Sequence, residues 1–163
     1  MPFFYSRRNL YMIGFLLAFI VTLLEFIRGR HQNFRVFSDA TQFFWQGISP
    51  YTTEFVEAHG RYFLYSPVFT VLFAPFAYLP AWLGPFAWNL FNYSLFFMAI
   101  FTLPQQFTQQ QKCRMFLFLL LILGQSLLSF QYNITVAYLF LFAYTLLEKD
   151  RGFLAVLFIK IGR

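Results

Sequence analysis

Charge is scarce in this sequence. Only 11% of its 163 residues are Asp, Glu, Lys or Arg, while 60% are hydrophobic. A soluble domain carries roughly 25% charged and about 45–50% apolar residues. Charges this few leave a water-facing surface uncovered, so the composition excludes an ordinary soluble domain and describes an integral membrane protein. Cysteine is rarer still. Cys113 stands alone, which excludes an intramolecular disulfide and leaves the redox compartment unread. There is no Gly-rich phosphate loop, and no nucleophile–base–acid triad can be assembled. His31 and His59 lie far apart without the acid-rich spacing of a metal centre, so neither a metal nor another cofactor is implied. The positive charges form no single basic stripe, which excludes nucleic acid as a partner.

Phenylalanine is what the chain has in abundance, 27 residues of it. Each membrane crossing takes about 20 apolar residues, so this length holds about five. Apolar helices are expected over 9–28, 83–103, 114–131 and 133–148, with a further apolar stretch from Gly152 to Arg163 that covers about half a crossing. Arg7 and Arg8 precede the first run as in a secretory signal, but no small-residue cleavage site follows Leu24. Glu25, Arg28, Arg30 and His31 follow instead, so the first span is expected to be retained as a signal anchor. The fold class is therefore all-α, a polytopic transmembrane helical bundle forming a single integral membrane domain. Because the last stretch stops short of a full crossing, the chain is expected to be part of a longer protein.

The piece SPVFTVLFAPFAYLP, residues 66–80, is ambiguous. It carries Pro67, Pro75 and Pro80, and an internal proline kinks or breaks a helix. As a helix it reaches about 21 Å at ~1.5 Å per residue, short of the ~30 Å hydrocarbon core. If it does not cross, Arg7, Arg8, Lys112, Arg114, Lys149 and Arg151 all fall on one side, as cytoplasmic loops prefer. That topology puts the N-terminus in the cytoplasm and makes 29–82 an extracytoplasmic loop. Arg28, Arg30 and Arg35 at the outer end of the first span run against it. The polar run QQFTQQQ, 105–111, reads as a cytoplasmic turn.

Within the outer loop, NFRVFSDATQFFWQGISPY (33–51) interrupts the apolar chain with polar groups. On a helix over 34–46, Phe34, Phe37, Thr41, Phe44 and Trp45 share a broad face, with Arg35, Asp39, Gln42 and Gln46 in a narrow stripe opposite. That pattern predicts an interfacial helix lying aromatic side down, closed by Gly47 and turned by ISPY. Its polar stripe either braces the surface or faces a substrate. A carboxylate there takes up a proton from a hydroxyl, which makes Asp39 a candidate base with Arg35 as its expected ion-pair partner. Elsewhere, Asn89 and Asn92 are expected to make interhelical hydrogen bonds, and Glu25 to be a paired acid. The sequon Asn133-Ile134-Thr135 reads as chance.

The words NFRVFSDATQFFWQGISPY, YFLYSPVFTVLFAPFAYLP, WNLFN and FQYNITVAYLFLFAYTLLEKDRGFLAVLFIK, in that order, resemble glycosyltransferase family 87. The resemblance runs from about Asn33 to Lys160. It implies a GT-C fold with interfacial helices in the first outer loop, in a multi-pass protein of the bacterial inner (plasma) membrane. It also implies transfer of a hexose from a polyprenyl-phosphate sugar to an extracytoplasmic lipid or glycan acceptor, with no cofactor. In the family's frame Phe34 and Ala40 place Asn33 where relatives carry the catalytic Asp, so the base falls to Asp39 if to any residue. Gly47, Pro50 and Tyr51 match the family's turn, and Tyr65 and Pro67 its Y-x-P. Gln131 and Asn133 match its G-Q-x-N, with Phe130 in place of the Gly, and Lys160 matches a Lys of the next helix. The resemblance thus assigns Asp39 and Asn33 to catalysis. It assigns Tyr51, Tyr65, Gln131, Asn133 and Lys160 to substrate, and Arg35 and Arg61, with Arg30, suit its phosphate. Membrane lipids are partners on either reading. The rival is a non-catalytic membrane subunit or lipid-binding scaffold, favoured by Asn33 at the base position.

Overall fold

A computed structural model describes residues 6–162. These form eight helices and no strand: α1 (Arg7–Ile27), α2 (Gln32–Trp45), α3 (Thr53–His59), α4 (Pro67–Ala77), α5 (Leu83–Phe101), α6 (Gln109–Leu128), α7 (Asn133–Leu147) and α8 (Gly152–Ile161). The all-α expectation holds. Arg163, the end of the last apolar stretch, lies outside the described residues. Two helices, α1 and α6, are long and apolar enough to cross a membrane. The 15 residues of α7 and 10 of α8 fall below the about 20 a full crossing takes. The span expected over 133–148 is therefore a shorter helix.

The start of α6 also corrects the sequence reading. The last three residues of the polar 105–111 run are helix, because Thr108 and Gln111 form a reciprocal capping box. Thr108 Oγ1 accepts from the Gln111 backbone N–H, and Gln111 Oε1 accepts from that of Thr108 at 2.8 Å. Two orphan donors are thereby satisfied, and the helix begins at Gln109 rather than Arg114.

Helix α1 packs on α5 and α6, and α5 also packs on α7, which in turn packs on α8. Close approach of α1 and α5 depends on Gly14, where a Cβ would stand 2.8 Å from Tyr93 Cε2. The Tyr93 hydroxyl uses that space to donate to Tyr11 O at 2.8 Å. Deeper in, Asn89 Nδ2 donates to Thr22 Oγ1 (2.9 Å) on α1 and Leu127 O (3.0 Å) on α6. Asn92 Oδ1 accepts from Thr135 of α7. Bonds of this kind between apolar helices contribute about 0.6 kcal/mol each on average, and here they fix which faces meet.

The two ends of the bundle differ. At one, the Arg7 guanidinium lies 5.5 Å from the Phe101 ring, Lys112 donates to Leu103 O, and Gln106 donates to the Tyr144 hydroxyl. The end of α1, all of α2, the α6–α7 turn and the last turn of α8 meet at the other. There Asn33 Nδ2 donates to Ser129 O and Tyr132 Oη donates to Ile161 O.

Helix α4 stays at this second end. Its 11 residues span about 17 Å at ~1.5 Å each, and it packs on α2 and the first half of α5. Phe34 and Phe37 of α2 meet Phe73 and Phe69 of α4, which meet Trp88 of α5 and Tyr132. All six are buried. The aromatic face of α2 is therefore covered by protein and not laid on lipid. The physical reason is partner quality: edge-to-face ring pairs add about 0.5–1.5 kcal/mol each beyond area burial. Further along the same face Phe44 is half-buried, and Trp45, 53% exposed, lies edge-on to it. Gly84 lets α5 pass beneath α2, since a Cβ there would lie 2.6 Å from Phe34 Cζ and 2.9 Å from Phe76 O.

Candidate functional site

Three chain reversals at this end build a polar cavity. Helix α1 stops at Arg28, and Gly29 follows at φ +67°. Gly29 N–H bonds to Phe26 O, and Arg30 N–H to Glu25 O at 2.9 Å, the paired closure that a left-handed residue permits. Helix α6 ends in the same way, but Phe130 holds the left-handed position at φ +50°. Phe130 N–H bonds to Leu127 O and Gln131 N–H to Ser126 O. A side chain there costs about 1–2 kcal/mol, and burial offsets it: Phe130 is 0% exposed and packs against His31 and Phe34. This is the position where the resemblance leads one to expect Gly. Helix α2 begins at Gln32 between these two closures and ends in a third, at Gly47.

The resulting cavity encloses about 670 Å³ and is lined by Glu25, Gly29, Arg30, Gln32, Asn33, Arg35, Arg61, Leu128, Ser129 and Gln131. Its three arginines and one carboxylate leave a formal charge of 3 − 1 = +2, which favours an anion. Asn33 is the hub. Its Nδ2 donates to Ser129 O at 2.7 Å, joining α2 to the end of α6, and its Oδ1 accepts from Arg61 Nη1 at 2.5 Å. Arg61 is thereby drawn to the cavity from the loop after α3. Gln131 accepts from Asn133 Nδ2 at 2.9 Å. The cavity therefore offers guanidinium donors, amides and a carbonyl, a set suited to phosphate oxygens and sugar hydroxyls.

Arg35 lines this cavity and a neighbouring one of about 520 Å³ on the other side of α2, which contains Asp39. The expected Arg35–Asp39 ion pair does not form. Arg35 Nε donates instead to His31 Nε2 at 3.1 Å, and Asp39 Oδ2 meets His59 Nε2 at 2.9 Å. The reason is geometric: α3 brings His59 alongside Asp39, whereas Arg35 turns to His31, just past the C-terminal end of α1. His59 Nδ1 donates to Phe55 O at 2.8 Å, so a second proton, on Nε2 or on the carboxyl, completes the Asp39 contact. His31 lies stacked on Phe26. Burial, and then the Arg35 charge, hold its pKa below the ordinary 6.5.

The sequence candidates thus divide. Asn33, Arg35, Arg61 and Gln131 share one cavity, and Asn133 is bonded to it through Gln131. Asp39 faces the other cavity. Tyr51 and Tyr65 brace the loop between α2 and α4, the Tyr51 hydroxyl donating to Tyr65 O at 2.6 Å. Burial raises both phenol pKa values. Lys160 is exposed in the last turn of α8, at the same end of the bundle. Sequence reasoning did not place Glu25, Gln32 and Ser129 in the cavity. Their lining role depends on where two helix ends meet, which no local pattern states. Among the described residues, no three His, Cys, Asp or Glu side chains converge as a metal site.

No curated protein and no solved structure matches the chain. A comparison with protein families matches residues 63–162 to glycosyltransferase family 87. The match takes in α4 to α8, with Tyr65, Gln131, Asn133 and Lys160, and begins after Arg61. It covers more than half of the chain, and the protein belongs to glycosyltransferase family 87.

Proposed function

We propose that this family 87 glycosyltransferase moves a hexose from a polyprenyl-phosphate sugar to a lipid or glycan acceptor outside the cytoplasm. The observation that carries the reading is the arginine-lined cavity, which joins Arg30, Arg35 and Arg61 to the amides of Asn33 and Gln131. In this reading the arginines hold the phosphate, the amides hold sugar hydroxyls, and Asn133 and Lys160 extend the same face. The protein is a GT-C-like multi-pass bundle in the inner membrane. Its end with Arg7, Lys112, Arg114, Lys149 and Arg151 lies in the cytoplasm, as the bias of basic residues favours. Residues 29–82 lie outside, where α2 and α3 sit at headgroup level. An apolar groove of about 600 Å³, lined by α4, α5, α7 and α8, offers room for an isoprenoid tail.

Transfer by direct displacement inverts the anomeric carbon and needs a group to accept the acceptor's proton. Asn33 has none and acts as a ligand. Its identity, and the engagement of Asp39 by His59, favour the rival reading in which the fold binds a lipid phosphate without chemistry. One experiment separates the two. The full chain in lipid nanodiscs is given polyprenyl-phosphate [14C]hexoses, glucose and mannose in turn, with bacterial membrane lipid as acceptor. Farnesyl phosphate binding is measured in parallel. Labelled product is expected, with farnesyl phosphate affinity falling at least tenfold in Arg61→Ala. Binding without product selects the scaffold, and neither binding nor product refutes the site.

A further inference from the structure

We infer that Glu25 is the catalytic base of this cavity, a reading that rests on the proposed transfer reaction. The transfer needs a carboxylate within reach of the bound sugar, and Glu25 is the one carboxylate among the cavity's lining residues. It is also unusually placed for a charged side chain, only 5% exposed at the end of an apolar helix. Burying a carboxylate is costly unless it is paired, and its recorded partner is modest. Arg28 Nη1 donates to Oε1 at 3.1 Å from a side chain that is itself 55% exposed. Among the described residues no other side chain donates to the Glu25 carboxylate, which leaves Oε2 available to a ligand in the cavity.

The local backbone holds the group in place. Glu25 sits in the last turn of α1, and its carbonyl accepts from Arg30 N–H in the Gly29 closure. The Glu25 side chain and Arg30 are therefore held by the same helix closure, while Arg35 and Arg61 reach the cavity from α2 and from the loop after α3. Asn33 of α2 lines the same cavity, and its amide takes up no proton. Glu25 supplies from α1 the proton acceptor that α2 lacks. Asp39 lies across α2 in the second cavity, already engaged by His59.

The step balances without a co-reactant. The acceptor hydroxyl oxygen attacks the anomeric carbon and forms the new C–O bond. The anomeric carbon–phosphate oxygen bond breaks, and its electron pair leaves with the polyprenyl phosphate. The hydroxyl proton passes to the Glu25 carboxylate and is later lost to water. The arginines meet the charge that grows on the departing phosphate.

The test is the nanodisc transfer assay with Glu25→Gln, which keeps an acceptor for Arg28 and loses only the protonatable oxygen. A base contributes about 10²- to 10⁴-fold, so transfer is expected to fall at least a hundredfold while farnesyl phosphate affinity stays within threefold. A second variant, Glu25→Ala, should be restored by added formate at least tenfold, an effect that a purely structural role would not produce. If Glu25→Gln retains near wild-type transfer, or formate does nothing for Glu25→Ala, the assignment is wrong while the transfer reading stands. If the wild-type chain binds donor but transfers nothing, both fall together.

Discussion

Replacing Asn33 by Asp puts a carboxylate in place of the amide at the centre of the cavity, and the structure predicts that the protein loses stability by it. The amide does two things with different ends: Nδ2 donates to Ser129 O at 2.7 Å, and Oδ1 accepts from Arg61 at 2.5 Å. A carboxylate serves only the second. At Ser129 it sets one acceptor against another, and leaving a partly buried carbonyl without its donor costs about 1–3 kcal/mol. The gain is a stronger partner for Arg61, but the pair is exposed, and exposed ion pairs contribute about 0.2–1 kcal/mol. The balance is a loss of about 1–2 kcal/mol near neutral pH. Acid removes the penalty, because a protonated Asp has a hydrogen to give Ser129 again. Chemical unfolding of Asn33→Asp against wild type, in detergent micelles and at two pH values, measures the balance. Equal or greater stability of the variant at pH ~7 would show that the α2–α6 tie does not depend on this amide. A rise in transfer, at whatever stability, would return the base to position 33 and away from Glu25.

Acidification should destabilise the wild-type fold through His31. The unfolded ring titrates near 6.5, and the folded ring binds its proton only at lower pH because of burial and Arg35. Stability from this group is complete above ~6.5 and is lost as pH falls through the folded value, so His31→Gln should flatten the pH dependence of melting in that window. Phe130→Gly should destabilise by about 2–3 kcal/mol in the same micelles: relief of the left-handed backbone returns about 1–2 kcal/mol, against about 3–5 kcal/mol for emptying an aromatic core site. A more stable Phe130→Gly would mean that backbone strain, and not ring packing, dominates the α6–α7 turn.

The helices were legible because length and apolarity are local properties. The α2 helix and its Gly47 closure followed from spacing and one glycine, and the interhelical use of Asn89 and Asn92 followed from polar groups in apolar surroundings. The start of α6 was missed because a capping box, Thr108 with Gln111, outweighed the polarity of a Gln-rich run. The aromatic face of α2 was assigned to lipid because a helical wheel cannot tell a bilayer from a neighbouring helix. Both are apolar, and only the fold brings Phe69 and Phe73 to Phe34 and Phe37. Pairing failed in the same way. Arg35 and Asp39 stand four apart on a helix, yet each found a nearer partner from outside the pattern, His31 and His59. The cavity itself was half visible. Arg30, Arg35, Arg61, Asn33 and Gln131 carried chemistry that could be named, whereas Glu25 entered only when the ends of α1 and α6 were seen to meet.

The short helix α4 has a consequence for how such a protein can change. In the proposed orientation, everything between Arg28 and Trp82 leaves from and returns to one side of the bilayer. The number of crossings contributed by this stretch is even, namely zero, so the threading itself sets no limit on its length. Segments can be inserted, trimmed or exchanged there without inverting any helix that follows, because parity is preserved. A gain or loss of one crossing among α5 to α8 would instead turn every later loop, with its lysines and arginines, to the opposite compartment. On the proposed topology and reaction, the stretch that carries Asn33, Asp39 and Arg61 is thus where new acceptor contacts could arise without disturbing how the rest is threaded.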